Sequence, residues 1–394
     1  MGRRRLEVAD VVRAHRDRFL AVRGGSLASA ERRVLDDIAA CRTAARGGHV
    51  ERCDRCAHER IAYNSCRNRH CPKCQESDRI DWLAERERDL LPVPYFHVVF
   101  TIPHELVPLA RQNRKILYDL LFHAAAHALR TLASDPKHLG AEIGVLAVLH
   151  TWGQQLTLHP HIHCVIPSGG LAPDGERWVP CQPRFFLPVH ALSRLFRGKF
   201  LSELRHAYDD GRLRLLGSLR PLQHSAVFRR LVRTLYKKEW VVYAKPPFGG
   251  PAIVLRYLAR YVHRVAISNR RLLALRDGRI TFRCKDYRRQ GRRKTVTLDA
   301  VEFLRRFLQH LLPDGFTRIR YYGFLASRCR RVKLARCRQL LAATVPDSPA
   351  VSSSEPPAKP RCPHCARGRM VCVLLLQPGD PRLSAVRPRA VDSS

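Results

Sequence analysis

The apolar residues of this chain change their spacing several times, and each spacing predicts a type of element. Helical spacing in residues 1–48 predicts one or two helices, and it returns at 104–133, 190–211 and 222–238. Runs of β-branched and aromatic residues predict strands at 95–101, 143–152, 160–167 and 239–244. The middle of the chain therefore has the order β-α-β-β-α-α-β. That order favours an α+β fold in which helices cover one face of an antiparallel sheet.

Shorter elements follow, and they complete the predicted organisation. Three short strands between residues 272 and 298, a helix at 300–312 and a very basic helix at 326–341 precede a stretch rich in Pro, Ser and Ala. We expect four parts: a helical, cysteine-containing module at 1–90, a core at 91–265, a basic α/β extension at 266–341, and a flexible linker and tail at 342–394.

The charge of the chain restricts the classes of partner. Its 71 Lys and Arg face 34 Asp and Glu, which gives a formal net charge of +37. A polyanion is needed to neutralise such an excess, so nucleic acid is the expected partner and an anionic membrane surface the alternative. No 18-residue apolar run, signal-peptide pattern or myristoylation pattern occurs. We therefore expect a soluble intracellular protein.

The cysteines cluster in Cys-x2-Cys pairs, which in an intracellular protein indicates metal before disulfide. Two pairs separated by 14 residues predict one closed, structural, tetrahedral zinc site formed by Cys53, Cys56, Cys71 and Cys74. Cys66 and His70 lie between the pairs and are possible replacements for one member; His58 is a weaker one. A further pair, Cys362 and Cys365, stands alone and would need Cys372 or His364 to complete a site.

Basic residues surround the second cysteine pair. Arg67, Arg69 and Lys73 are candidates for contacts with DNA phosphates. The alternative is a solvated basic face without a ligand.

The sequence His159-Pro-His-Ile-His163 has strand character. Successive side chains of a strand point to opposite faces, so His161 and His163 share one face at a spacing of about 7 Å and can hold one metal ion. The alternative is a polar pair on a solvated face. If strands 143–152 and 160–167 form a hairpin, His150 falls roughly opposite His163 and becomes a candidate third ligand. Gln154 and His159 are rival candidates, and His150 can instead be a strand-end histidine bonded to backbone.

A helix at 251–264 carries Tyr257 and Tyr261 four residues apart, so that one lies above the other. Arg256, Arg260 and Arg264 form a basic ridge on one side of the tyrosines, and apolar residues form the other. Amphipathic tyrosines often occupy such a boundary for structural reasons alone.

These features occur in the order of a known family. Residues 65–75, His150-Thr-Trp-Gly153, His159–His163, Gly169-Gly-Leu171, Tyr257-Leu-Ala-Arg-Tyr261 and residues 318–323 together resemble the two-tyrosine HUH transposases of the insertion-sequence-91 group. Each motif alone is weak, but the ordered set is specific and spans roughly residues 30–340.

The resemblance implies a ferredoxin-like HUH endonuclease core with its metal pair at His161 and His163. It also implies Tyr257 and Tyr261 as nucleophiles, structural Zn²⁺ in the N-terminal module, and single- and double-stranded DNA at transposon ends and target as partners. The third metal ligand is not fixed by it. A bacterial cytoplasmic location in association with the nucleoid follows as an expectation.

The expected mechanism is metal-dependent nicking and rejoining of single-stranded DNA through a 5′-phosphotyrosine, as in rolling-circle transposition. Mg²⁺ or Mn²⁺ would be the catalytic ion; two imidazoles suit Mn²⁺ better, although water and substrate oxygens can complete a Mg²⁺ shell. Arg256 and Arg260 would stabilise phenolate or phosphate. The rival functions are a non-catalytic zinc-dependent DNA-binding regulator, a rolling-circle replication initiator with the same chemistry, and a hydrolase of small phosphate esters.

Overall fold

The computed structural model of the protein describes residues 5–76, 82, 89–245, 266–286, 291–342 and 360–385. The predicted tyrosine helix at 251–264 lies outside the described residues. Within them, the fold combines helices with antiparallel sheets, which confirms the predicted α+β class. No described helix combines the length and the apolar composition that crossing a membrane requires.

A five-stranded antiparallel sheet forms the centre of the structure. It contains β3 (Tyr95–Thr101), β4 (Gly144–Trp152), β5 (Leu158–Pro167), β8 (Val242–Lys245) and β12 (Ile319–Gly323), in the order β12-β4-β5-β3-β8. Numbered along the chain, the four strands of the predicted core lie in the order 2-3-1-4. This is the strand order of a ferredoxin-like fold, with β12 added at one edge.

Helices cover one face of this sheet. They are α3 (Val107–Gln112), α4 (Arg114–Ser134), α5 (Val189–Asp209) and α6 (Ser225–Lys237). Alternate residues of β5, namely Ile162, Cys164 and Ile166, are buried against these helices in the main hydrophobic core. The intervening residues, His161 and His163 among them, consequently face the other side of the sheet.

The helix predicted at 104–133 is interrupted at Asn113, between α3 and α4. The Asn113 side chain donates to the carbonyl of Leu109 at 3.1 Å and accepts from the amide of Arg214 at 2.7 Å. A side chain that bonds to nearby backbone competes with the helix ladder, and here it ends one helix and begins the next.

The N-terminal helices pack against a second sheet. α1 (Val8–Arg23) and α2 (Ser29–Ala40) share a core with β9 (Leu272–Arg276), β10 (Arg279–Asp286), β11 (Arg292–Asp299) and α7 (Ala300–Leu308). The predicted N-terminal module and the predicted extension therefore bury apolar surface together. The domain boundaries stay predictions, but this core and strand β12 both cross them.

A small three-stranded ribbon joins two N-terminal strands to one C-terminal strand. β1 (Gly48–Cys53) pairs with β2 (Glu59–Tyr63) on one edge and with β13 (Met370–Leu376) on the other. The prediction of a flexible tail at 342–394 was therefore wrong for residues 360–385, where β13 and α9 (Pro381–Ala385) form. The remaining described strands are β6 (Gly169–Leu171) and β7 (Trp178–Pro180), which pair with each other. The remaining described α-helix, α8 (Arg330–Ala342), packs on the sheet face opposite α4.

Candidate metal centres and nucleic-acid interface

Three histidines meet on the sheet face that the main helices do not cover. One ligand nitrogen from each of His150, His161 and His163 lies within 4.8 Å of the others. The ring centroids of His150 and His163 are 4.3 Å apart, and those of His161 and His163 are 4.9 Å apart. We call these three residues the histidine cluster. The predicted register was wrong by two residues, because His150 lies opposite His161 and Val148 lies opposite His163.

Hydrogen bonds orient two of the three rings. Nδ1 of His161 lies 2.7 Å from the carbonyl oxygen of His159 and donates to it. Nδ1 of His163 lies 2.7 Å from Nε2 of His97, a residue of β3. Histidines that bind metal through one ring nitrogen usually hydrogen-bond through the other, so Nε2 of His161 and of His163 are the nitrogens that a metal would take.

Burial fits these histidines for metal binding. His150 is 2% exposed and His163 is 7% exposed. Burial lowers the pKa of His161 to about 4 and the pKa of His163 well below its usual range. Both rings are therefore neutral near pH 7, which is the form that coordinates a metal. Three imidazoles suit a divalent transition ion such as Mn²⁺ better than an ion that requires an all-oxygen shell.

The extension anchors the turn between the two strands of the histidine cluster. Leu156 lies in this turn with a positive φ of 60° and is fully buried, a conformation that tertiary contacts must hold. Its carbonyl accepts from Nε2 of His310 at 3.1 Å and from Nε2 of Gln309. Arg271 donates to the carbonyl of Gln154. The predicted extension therefore helps to fix the hairpin that carries His150 and His161.

The rival third ligands have other positions. Oε1 of Gln154 accepts from the amide of Lys285 at 3.2 Å, on the side of the extension. His159 is exposed, and its carbonyl accepts a hydrogen bond from the ring of His161. His159 does not belong to the group of ligand atoms that includes His150.

Eight cysteines form two groups of four. The helical cysteine cluster consists of Cys41, Cys66, Cys71 and Cys74. Its sulfur atoms are 3.8 Å apart for Cys41 and Cys74 and 3.5 Å apart for Cys66 and Cys74. Four thiolates around zinc at about 2.3 Å are separated by about 3.8 Å, so this cluster has the dimensions of a closed structural zinc site.

The second group, which we call the ribbon cysteine cluster, consists of Cys53, Cys56, Cys362 and Cys365. The sequence prediction of one zinc site from Cys53, Cys56, Cys71 and Cys74 is thus corrected: the two pairs belong to different clusters. The spacing of the cysteines along the chain gave the wrong grouping, because pairing of β1 with β13 brings the distant C-terminal cysteine pair beside Cys53. Cys66 does join the second pair, whereas Cys41 was missed because its position relative to Ile38 is typical of an apolar helix face.

The candidate DNA-binding residues differ in their surroundings. Arg67 is exposed, as a phosphate contact requires. Arg69 donates to the carbonyls of Leu312 and Phe316, at 3.2 and 2.9 Å, and Lys73 forms a 2.9 Å ion pair with Glu7. Arg69 and Lys73 therefore take part in packing. Tyr257, Tyr261, Arg256 and Arg260 lie outside the described residues.

Comparisons with known proteins give the family. The "Transposase zinc-binding domain" family model matches residues 11–102, and the "Putative transposase" family model matches residues 144–333. "Putative transposase y4qJ" of Sinorhizobium fredii is 52% identical over 97% of this chain and 99% of its own length. The transposase for insertion sequence element IS801 of Pseudomonas savastanoi pv. phaseolicola is 31% identical over 77% of this chain and 72% of its own length. No solved structure matches the chain.

The zinc-binding domain and the core identify a DNA-processing transposase. This chain belongs to the insertion-sequence-91 family of transposases and carries that family's N-terminal zinc-binding domain. The cysteine clusters agree with zinc as its structural metal.

Proposed function

We propose that this transposase nicks and rejoins single-stranded DNA at the ends of its element through a 5′-phosphotyrosine, in a rolling-circle reaction of the HUH type. The observation that carries the proposal is the histidine cluster. His161 and His163 lie on β5, the middle strand of the ferredoxin-like sheet. His150 on the neighbouring strand β4 completes three converging ligand nitrogens.

The chain's own residues prepare the site for a divalent cation. His150, His161 and His163 would hold it through ring nitrogens, and the carbonyl of His159 and the ring of His97 would keep two of those rings in orientation. A Mg²⁺ or Mn²⁺ ion bound there would polarise the scissile phosphate and offset its charge. The buried apolar residues beneath β5 keep the three rings at a fixed spacing.

Tyr257 or Tyr261 supplies the nucleophile in this proposal, on the strength of the family motif. The phenolic oxygen forms a bond to phosphorus, and the bond from phosphorus to the 3′ oxygen breaks. The electron pair leaves with the 3′ oxygen, which ends as a hydroxyl after taking a proton. The phosphodiester is kept as a 5′-phosphotyrosine, so rejoining needs no nucleotide cofactor. Arg256 and Arg260, one position before each tyrosine, would stabilise the phenolate, whose formation is otherwise unfavourable near pH 7.

Charge supports DNA as the substrate. The formal net charge is +37, and α6 presents exposed Arg229, Arg230 and Arg233. Contacts of this kind with phosphates are independent of base sequence and weaken with salt. We therefore propose single-stranded DNA in the core and double-stranded DNA at the element ends and target, in the bacterial cytoplasm and on the nucleoid.

Covalent capture of DNA tests the proposal. Purified protein is incubated with labelled single-stranded DNA from the element's ends, with Mg²⁺ or Mn²⁺, and resolved on a denaturing gel. We expect a metal-dependent band that survives boiling and is absent from the Tyr257→Phe/Tyr261→Phe variant. Tyr236→Phe is the control, because Tyr236 is an exposed tyrosine of α6 (57% exposed) that has no place in the proposed site.

A chelator would remove structural zinc as well as the catalytic ion, so the histidine cluster is tested by substituting one of its ligands. His161→Ala should abolish the adduct while DNA binding in a filter assay stays within about twofold, since phosphate contacts are spread over many cations. An adduct that persists in the double tyrosine variant would contradict the proposal. DNA binding without any covalent species, with both metals and both ends, would favour the DNA-binding regulator.

A further inference from the structure

The two cysteine pairs of the ribbon cysteine cluster are built alike. In each, two cysteines separated by two residues are followed by an alanine in the left-handed region, Ala57 with φ 56° and Ala366 with φ 55°. The amide of Ala57 donates to the carbonyl of Cys53 at 3.2 Å, and the amide of Ala366 donates to the carbonyl of Cys362 at 2.9 Å. Matching turns of this kind place both sulfur atoms of a pair on one side, ready to share one ion.

Backbone amides in both pairs point at sulfur. Cys53 Sγ accepts from the amide of Arg55 at 3.4 Å, and Cys362 Sγ accepts from the amide of His364 at 3.4 Å. Cys365 Sγ accepts from the amide of Gly368 at 3.3 Å. Such bonds stabilise the charged form of a thiol, and the thiolate is the form that binds metal.

The distances between the pairs fit a four-coordinate ion. Cys53 Sγ lies 3.7 Å from Cys365 Sγ, and Cys56 Sγ lies 3.6 Å from Cys362 Sγ. A disulfide would require about 2.05 Å, whereas tetrahedral zinc places sulfur atoms about 3.8 Å apart. The two contacts join residues 312 and 306 positions apart in the chain.

Backbone contacts lock the two pairs face to face. The amide of Asp54 donates to the carbonyl of Arg369 at 3.0 Å, and the amide of Arg369 donates to Oδ1 of Asp54 at 2.8 Å. A Cβ atom at Gly368 would stand 2.3 Å from Cys53 Sγ, so only glycine permits this approach. The juxtaposition is thus specified by several residues in both segments.

The apolar surface available to hold this ribbon together is small. The buried residues around it are few, with Val50, Leu376 and Leu383 on one side and Met370 beside the cysteines on the other. β13 also leaves Leu374 and Leu375 exposed, at 41% and 72%. Modules with so little core are usually stabilised by a disulfide or a metal, and here the sulfur geometry excludes the disulfide.

We propose that Cys53, Cys56, Cys362 and Cys365 bind one structural zinc ion that fastens the C-terminal segment 360–385 to the N-terminal module. The match to the zinc-binding domain ends at residue 102, so half of this site lies outside it. The ion completes a zinc ribbon whose two halves flank the whole transposase core in the sequence. The site is independent of the tyrosine chemistry proposed above.

Zinc content of the full-length chain tests the site. We expect Cys362→Ser/Cys365→Ser to lose about one zinc per chain by elemental analysis, and Cys53→Ser/Cys56→Ser to lose the same one. The quadruple variant should also lose about one zinc, because both pairs serve the same ion. Cys372→Ser is the matched control, since Cys372 is an exposed cysteine of β13 outside the cluster, and it should keep full zinc content.

If the two cysteine pairs did not share one ion, the variants would lose different numbers of zinc ions. Unchanged zinc in Cys362→Ser/Cys365→Ser would overturn the proposal, and so would a quadruple variant that loses one zinc more than either double variant. Wild-type protein loaded with Co²⁺ gives a second readout that does not depend on a variant's folding. Thiolate-to-cobalt absorbance should correspond to two four-sulfur sites, and a spectrum equivalent to a single such site would contradict the proposal.

The fastening itself is tested by cutting the chain. A site for a sequence-specific protease is placed within residues 343–359, and the cleaved protein is examined by size-exclusion chromatography. We expect the C-terminal fragment to co-elute with the rest of the chain, and to separate from it when the zinc of this site is removed by Cys362→Ser/Cys365→Ser. A fragment that stays bound after zinc has been removed would show that strand pairing alone holds it and would overturn the fastening role.

Discussion

The histidine cluster and the ribbon cysteine cluster both converge on a point that an ion can occupy, but they differ in what holds the ligands. The histidines stand on β4 and β5, inside a five-stranded sheet whose other face is covered by the main core. The cysteines stand at turns of a three-stranded ribbon with few buried apolar residues. A well-packed sheet keeps its geometry without an ion, whereas a ribbon with little core needs one. We therefore expect a metal to add chemistry at the first site and stability at the second.

The helical cysteine cluster should give the largest effect and sharpens this comparison. Its cysteines join the core shared by α1, α2 and the 266–311 region. Removing two ligands with Cys71→Ser/Cys74→Ser should abolish the zinc there, whose binding contributes on the order of 10 kcal/mol in small zinc modules. We expect this variant to be largely insoluble or to lose its cooperative thermal transition. A melting temperature within about 2 °C of wild type would contradict a structural role for zinc at this cluster.

The histidine cluster should behave in the opposite way. His161→Ala should weaken Mn²⁺ binding by at least about 100-fold, measured by electron paramagnetic resonance, because one of three ligands is lost. The free energy of unfolding should change by about 1 kcal/mol or less in denaturant titrations, since Ile162 and Cys164 still anchor the strand. A large loss of stability with unchanged Mn²⁺ affinity would invert the comparison and mark His161 as a packing residue.

Substitution of His97 tests whether metal binding requires a fixed orientation of the His163 ring. His97→Ala removes the partner 2.7 Å from Nδ1 of His163, so we expect Mn²⁺ affinity to fall about 10-fold to 100-fold. His97→Gln retains a hydrogen-bonding group and should recover part of the affinity. The control is His104→Ala, because the His104 side chain is 87% exposed and does not belong to the histidine cluster. Equal losses in the Ala and Gln variants would argue that His97 acts through packing alone.

Acid should loosen the contact between the hairpin turn and the extension. Burial, with a smaller contribution from the nearby Arg114 charge, lowers the pKa of His310 to about 3. Its usual pKa is 6.5, so below that pH the unfolded chain binds a proton that the folded chain does not. Stability contributed by neutral His310 is therefore complete above pH 6.5 and is lost progressively as the pH falls toward 3.

The measurement is the free energy of unfolding between pH 4 and pH 7 for wild type and His310→Gln. Glutamine does not titrate, so the variant should show a shallower loss of stability on acidification, although it is less stable at pH 7. Parallel pH profiles for the two proteins would contradict the assignment.

The smallest effect concerns two neighbouring arginines. Arg67→Ala should weaken DNA binding modestly and reduce the salt dependence of the binding constant by about one phosphate contact, with stability unchanged. Arg69→Ala should instead lower stability by about 1–2 kcal/mol, because its guanidinium donates to the loop carbonyls of Leu312 and Phe316. Thermal melts and salt titrations of both variants separate the two roles. Identical effects would remove the distinction.

Local patterns in the sequence determined much of this protein. Period-two alternation and β-branched runs predict β3, β4 and β5, and the short spacing of His161 and His163 places both on one face. The order of elements predicts an antiparallel sheet with helices on one face, and the resemblance to the transposase family implies its ferredoxin-like strand order. The break between α3 and α4 at Asn113 could not be predicted from local sequence. It depends on a hydrogen bond from the amide of Arg214, 101 residues away, to the Asn113 side chain.

Only the tertiary structure decided which cysteines meet and which residues orient the histidines. Cys53 and Cys365 are 312 residues apart, and no spacing rule along the chain reports a pairing made by β1 and β13. The register that sets His150 opposite His161 depends on the turn around Leu156, which contacts from the extension hold at positive φ. Sequence periodicity fixes the face on which a side chain lies, because that follows from local backbone geometry. The partners on that face depend on packing between distant segments.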